Sequence, residues 1–103
     1  MDKGRIGPVP GQIVQVLRGR DHGRHAVIVE VLDDRYVKIA DGDRRSYDQA
    51  KRKNLLHLQL LNEVSPEVAE SLRETGRVTN GKLRHALARY QNNRGPDAQP
   101  KGE

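Results

Sequence analysis

Between residues 12 and 61 the apolar positions fall into short blocks separated by polar breaks. Residues 12–17 and 26–32 are rich in Val, Ile and Leu, side chains that pack well on a pleated surface, and each block predicts a strand. The intervening stretch 18–25 is polar and holds Gly19 and Gly23, so the pair reads as strand, loop, strand. Asp33-Asp34 predicts a tight turn. Residues 35–40 then alternate, with Val37 and Ile39 on one side and Tyr36 and Lys38 on the other, as in a half-buried strand. Asp41-Gly42 is a second turn signal, leading into a polar fourth strand expected at 44–47. Residues 49–54 read as a basic connection and 55–61 as the last strand. Its inward face is either Leu56, Leu58 and Leu60 or the set Leu55, His57, Gln59 and Leu61, with the leucine set favoured.

Five short strands in about fifty residues, without a crossover helix, argue against a parallel sheet and for a small antiparallel barrel, because closure removes exposed edges. After residue 62 the period changes. Ser65-Pro66 has the chemistry of a helix start, Val64 and Ala69 lie at staple spacing, and Gly76 is a C-terminal stop. A second helix starts at Thr79 or Asn80, and Leu83, Ala86, Leu87 and Tyr90 form its apolar stripe, with Lys82, Arg84 and Arg89 elsewhere. Both helices are short enough to need support, which the barrel provides. The expected organisation is a flexible arm at 1–10, a barrel at 11–62, a helical extension at 63–92 and a disordered tail at 93–103.

Composition narrows the functional classes. With 103 residues, no Phe or Trp, and Tyr only at 36, 47 and 90, the chain builds one thin aliphatic core. The absence of Cys excludes disulfides, thiolate metal sites and a cysteine nucleophile. No apolar run has the length of a membrane span, and residues 1–10 lack the apolar core of a secretory leader, so a cytoplasmic location without membrane contact is expected. The net charge is +5, and residues 1–62 carry 12 Lys/Arg against 8 Asp/Glu. A basic excess concentrated in the barrel favours a polyanionic partner.

The segment from Gly11 to Val31 resembles the KOW motif, a strand–loop–strand unit of SH3-like barrels in ribosomal proteins and transcription elongation factors. Val14 and Val16 match its apolar positions, Gly19 and Gly23 its glycines, Arg24 its basic residue, and Ile28 and Val31 its returning strand. Ala26 departs, standing where many such motifs have another glycine. The acidic turn, Asp41-Gly42, Lys51-Arg52-Lys53-Asn54 and His57-Leu58 extend the likeness to about residue 61, toward bacterial KOW proteins related to the fourteen-e family of large-subunit ribosomal proteins. The resemblance implies a mainly β fold, an SH3-like barrel followed by the two helices, and RNA binding near the ribosome.

The residues support an RNA reading in their own right. Arg18, Arg20, His22 and Arg24 sit with Gly19 and Gly23 in a loop where guanidinium forks and backbone N–H groups can converge on phosphates. Arg44, Arg45, Lys51, Arg52 and Lys53 form a second basic cluster, and closure of the barrel could bring the two together. With so few rings, recognition through shape and phosphates is expected in preference to base stacking, Tyr36 and Tyr47 being the exceptions. The expected partner is ribosomal RNA or another structured RNA, with ribosomal proteins as further contacts and no small-molecule substrate.

Other chemistries are poorly supplied. His22 and His25 have ligand-like spacing but lack a convergent donor set beyond Asp21, so no metal is expected. Asp33-Asp34 and Asp41/Asp43 fall on turns, where Asp is common, with no nucleophile or base beside them. His57 reads as a strand-end residue. No catalytic group and no cofactor is expected. The basic residues of the second helix read first as a solvated face. The rival function is a protein-interaction module, since SH3-like barrels also bind proteins, although an aromatic groove or methyl-lysine cage is not available from three Tyr.

Overall fold

A computed structural model of the chain describes residues 7–98. Five strands, β1 (Gln12–Val16), β2 (His25–Val31), β3 (Tyr36–Ala40), β4 (Lys51–Asn54) and β5 (Leu58–Val64), form one antiparallel sheet in the order β4-β3-β2-β1-β5. Helices α1 (Pro66–Thr75) and α2 (Asn80–Ala98) follow. This is the mainly β architecture with C-terminal helices that the sequence predicts, consistent with a small SH3-like KOW fold.

The sheet separates two apolar clusters. Val14, Val16, Ala26, Ile28, Val37, Ile39 and Leu58 pack on the inner face, with Val31, Leu55 and Leu60 against them. Val27, Val29 and Ala40 lie on the outer face and are covered by Val68 of α1, Val78, and Leu83 and Ala86 of α2. Strand β2 contributes to both clusters because successive side chains point to opposite faces, and its pairing with β3 shifts between Ile28 and Glu30: Ile28 faces Ile39, while Val31 faces Val37. The extra residue at this irregularity keeps Ile28 and Val31, three positions apart, in the same cluster. Ala26, where related motifs have glycine, is itself a buried part of this core.

The hairpin turns use the predicted Asp residues. Asp33 Oδ1 accepts the N–H groups of Arg35 and Tyr36, both at 2.8 Å, and these bonds hold its carboxyl below the usual carboxylate range. Asp41 Oδ1 likewise accepts from Asp43 N and Arg45 N, both at 2.8 Å. Here the expected fourth strand is corrected. The backbone of Arg45 is turned back onto Asp41, its carbonyl accepting from Asp41 N and Gly42 N, so residues 44–46 cannot form a ladder and Tyr47–Gln49 makes a single 3₁₀ turn. The strand lies instead in the segment read as a basic connection, where Lys51–Asn54 pairs with β3.

The last strand is also shorter than expected at its start. Leu55–His57 forms a 3₁₀ turn capped by the Asn54 side chain, which accepts from Leu56 N at 2.8 Å. The turn breaks the alternation, leaving Leu56 83% exposed while Leu58 is buried and Leu55 and Leu60 pack on the inner cluster. Strand β5 then runs to Val64, three residues past the expected end at 61.

Ser65 caps α1 by accepting from Val68 N at 3.2 Å, Pro66 opens it, and Gly76 closes it in a left-handed conformation. Thr79 caps α2, its Oγ1 accepting from Lys82 N at 3.2 Å. Helix α2 continues to Ala98, beyond the limit expected at 92. Residues 1–6 of the expected arm and 99–103 of the expected tail lie outside the described residues.

Candidate nucleic-acid interface

The loop joining β1 to β2 is closed by its own backbone. Gly23 N–H donates to Val16 O at 2.7 Å and Val16 N–H to Arg24 O at 2.9 Å, sealing the neck. Within it His22 N–H donates to Gly19 O at 3.1 Å and Arg24 N–H to Asp21 O at 2.9 Å, making two consecutive turns. Gly19 and Gly23 both have left-handed φ, of 97° and 89°, which is the physical reason glycine stands there. The side chains of Arg18, Arg20, His22 and Arg24 are exposed on this loop. Cationic and donor groups are thus presented from a backbone already ordered, so less entropy is lost when they meet an anion.

The second basic cluster divides. Lys51 and Lys53 pair with Ile39 and Val37 and share their side of the sheet, whereas Arg52 pairs with Lys38 on the other. There the Arg52 guanidinium lies over the Tyr36 ring, 4.0 Å from its centre. Lys53 reaches the first loop, its Nζ donating to Arg18 O at 3.2 Å. Arg24, Arg45, Lys51 and Lys53 line one depression at the open end of the inner core, with Asp21 and Asp41 beside them. Arg44 is exposed on the turn next to Arg45. The structure therefore joins the loop to Arg45, Lys51 and Lys53, and directs Arg52 elsewhere.

The depression has a cavity volume of only about 20 Å³. That is close to the space of one water molecule, so it displays charges and does not enclose a small organic ligand. Among the described residues, no three His, Asp or Glu side chains are placed to hold a metal ion. No helix among them is long and apolar enough to cross a membrane.

The structure separates the two tyrosines singled out as stacking candidates. Tyr47 ties the outer cluster together, its N–H donating to Asn80 Oδ1 at 2.7 Å and its hydroxyl to Gly76 O at 3.0 Å. Tyr36 is already engaged by Arg52. His57 sits at the strand end as expected, its carbonyl accepting from Leu17 N at 2.8 Å.

Sequence reasoning missed the contribution of α2. Arg84 Nη1 donates to Gly42 O at 2.6 Å, and His25, at the exit of the loop, meets the Tyr90 ring at 5.4 Å and Gln91 Nε2 at 3.3 Å. Arg84, Leu87 and Gln91, at i, i+3 and i+7, bring one stripe of α2 beside the loop. Helical spacing contained that signal, but nothing in the sequence indicated which face would meet the loop.

The KOW motif matches residues 10–43, which include the whole strand–loop–strand unit. YbzG of Bacillus subtilis, provisionally named a ribosome-binding protein, is 43% identical over 70 residues, covering 68% of this chain and 95% of that protein. The large ribosomal subunit protein eL14 of Hyperthermus butylicus is 35% identical over 74 residues, covering 64% of this chain and 76% of that protein.

Proposed function

Because this chain belongs to the family of KOW-motif proteins that includes YbzG and the ribosomal protein eL14, we propose that it is a non-catalytic, ribosome-associated protein of the cytoplasm that binds ribosomal RNA. The observation that carries this reading is the contact between Lys53 Nζ and Arg18 O, which makes one basic surface from two segments distant in sequence. Arg18, Arg20, His22 and Arg24 contact phosphates from the loop, with Gly19 and Gly23 allowing close backbone approach. Arg44, Arg45, Lys51 and Lys53 extend the contact. Arg52 supports Tyr36 on the far side and contributes less.

The test is co-sedimentation with ribosomes at increasing salt. Replacing Arg18, Arg20 and Arg24 together by Ala weakens binding and lowers the slope of log affinity against log salt by about 2 to 3, because each phosphate contact contributes close to one unit. An unchanged affinity and slope overturns the RNA assignment. The competing reading, a protein-interaction barrel, draws on Leu56, which is 83% exposed next to the strand that carries Lys53. Under that reading Leu56→Ser abolishes co-sedimentation while the arginine replacements do not.

A further inference from the structure

The stripe Arg84, Leu87 and Gln91 of α2 forms one wall of an open groove of about 490 Å³, whose other wall is Arg24, His25 and the turn residues Asp41 and Asp43. Its volume is within the range of about 300–1,000 Å³ typical of small-ligand sites. The groove is fixed in shape. Gly42 packs so closely on α2 that a Cβ there would collide with the Asn80 carbonyl and come within 3.0 Å of Leu83 Cβ, and Arg84 holds the Gly42 carbonyl.

Its charges are mixed, unlike those of the neighbouring depression. A continuous phosphate backbone running along the groove would be repelled by Asp41 and Asp43. Asp41 has its Oδ1 occupied by the N–H groups of Asp43 and Arg45 and is half-buried, so the exposed carboxylate of Asp43 is the better placed to offer both oxygens to a ligand. The groove thus offers an arginine at the loop end, an apolar side chain in Leu87, an amide in Gln91 and a carboxylate opposite. A single unstacked nucleotide matches this set: an anionic phosphate, a flat apolar base and a polar Watson–Crick edge.

The carboxylate selects among bases. Guanine presents two adjacent donors, N1–H and the N2 amino group, which the two oxygens of one carboxylate accept together. Adenine and cytosine each place an acceptor nitrogen next to their amino group, where it would face the second carboxylate oxygen. We propose that the groove between α2 and the turn at 41–43 takes an unpaired guanine of the bound RNA, its phosphate on Arg24 and its Watson–Crick edge on Asp43. This rests on the RNA reading above and adds a base-selective element to it.

The experiment is an NMR titration of the full-length, ¹⁵N-labelled protein with guanosine monophosphate, adenosine monophosphate, inorganic phosphate and a tri-arginine peptide. The expected result is that guanosine monophosphate shifts the amides of residues 41–43 and 84–91 and binds at least about five-fold more tightly than adenosine monophosphate. Asp43→Asn, which keeps the shape but replaces one acceptor oxygen by a donor, removes that preference. Equal affinity for the two nucleotides, no groove shifts with the guanine nucleotide, or the same groove shifts with phosphate alone each overturns the proposal. Stronger groove shifts with tri-arginine overturn it in favour of a basic protein segment. Ribosome co-sedimentation of wild-type protein is the separate readout for RNA binding itself: if it persists while the nucleotide preference is absent, the groove proposal alone fails.

Discussion

Lys53 Nζ donates to the carbonyl oxygen of Arg18 across 35 positions of sequence, at 3.2 Å, and so fixes the β1–β2 loop against the edge strand β4. The bond is exposed, and its contribution to stability is expected to be below about 1 kcal/mol. On the proposed function its weight falls on RNA binding. Lys53→Ala is predicted to leave the thermal midpoint nearly unchanged while reducing the salt slope of ribosome binding by about 1, the loss of one cationic contact. Thermal denaturation and co-sedimentation at several salt concentrations check both parts.

Gly42 and Gly23 both have left-handed φ, of 80° and 89°, but differ in surroundings. A Cβ at position 23 meets nothing within 4 Å, so Gly23→Ala costs the conformational penalty alone, about 1–2 kcal/mol. At position 42 the collision with α2 adds to that penalty, and Gly42→Ala is expected to cost about 3 kcal/mol or more. Urea denaturation of the two variants should rank them in this order.

Gln12 is fully buried, a rare position for its type, and is held by a hydrogen bond at each end. Its Oε1 accepts from Val9 N at 3.1 Å and its Nε2 donates to Leu61 O at 2.8 Å. Gln12→Leu strands both backbone groups and is predicted to destabilise the fold by about 2–4 kcal/mol despite the greater hydrophobicity. A shift of the urea midpoint with unchanged cooperativity measures this.

Leu56 and Leu58 make a paired test of the 3₁₀ turn. Leu58→Ala opens the inner cluster and is expected to cost about 2–5 kcal/mol, whereas Leu56→Ser stays within about 0.5 kcal/mol. Equal losses at the two positions would contradict the interrupted alternation described above.

Asp33 gives the acid response. Because the N–H groups of Arg35 and Tyr36 bond the ionised carboxylate, its folded-state pKa lies below that of the unfolded chain. The stabilisation is therefore fully present above the ordinary Asp value of about 3.9 and is lost as pH falls through the folded value. A ¹³C-detected NMR titration should place the Asp33 midpoint below the ordinary Asp value of about 3.9, and Asp33→Ala should flatten the decline of stability over this acidic range.

The elements that alternate cleanly were legible from sequence. Val37 and Ile39 against Tyr36 and Lys38 gave β3, and Ser65-Pro66 with Gly76 gave α1, because period and capping are local properties. The β4 assignment was not legible, since Lys51–Asn54 has no apolar residue and gains its strand conformation from pairing with β3. Residues 44–47 misled for the converse reason. Asp41 holds the chain there in a loop through side-chain bonds that a polarity pattern does not register. For the candidate interface, the motif singled out loop 18–24, but the separation of Arg52 from Lys51 and Lys53 followed only once the strand pairing was known.

The irregularity in β2 has a consequence for how the chain tolerates changes in length. Val27 and Val29 serve the outer cluster and Ile28 and Val31 the inner one, and Val31 reaches the inner cluster three positions after Ile28 because Val29 is supernumerary in the pairing with β3. Deleting Val29 would restore strict alternation with Glu30 still facing Lys38 and Val31 still facing Val37 on the inner cluster, at the cost of one side chain of the outer cluster. Loop 18–24, by contrast, lies between strands whose register is set by their own pairing. Natural length variation in this protein should therefore collect in loop 18–24, where no core side chain is lost, and a residue dropped from β2 should be Val29, the one position whose loss leaves the strand pairing and the inner cluster intact.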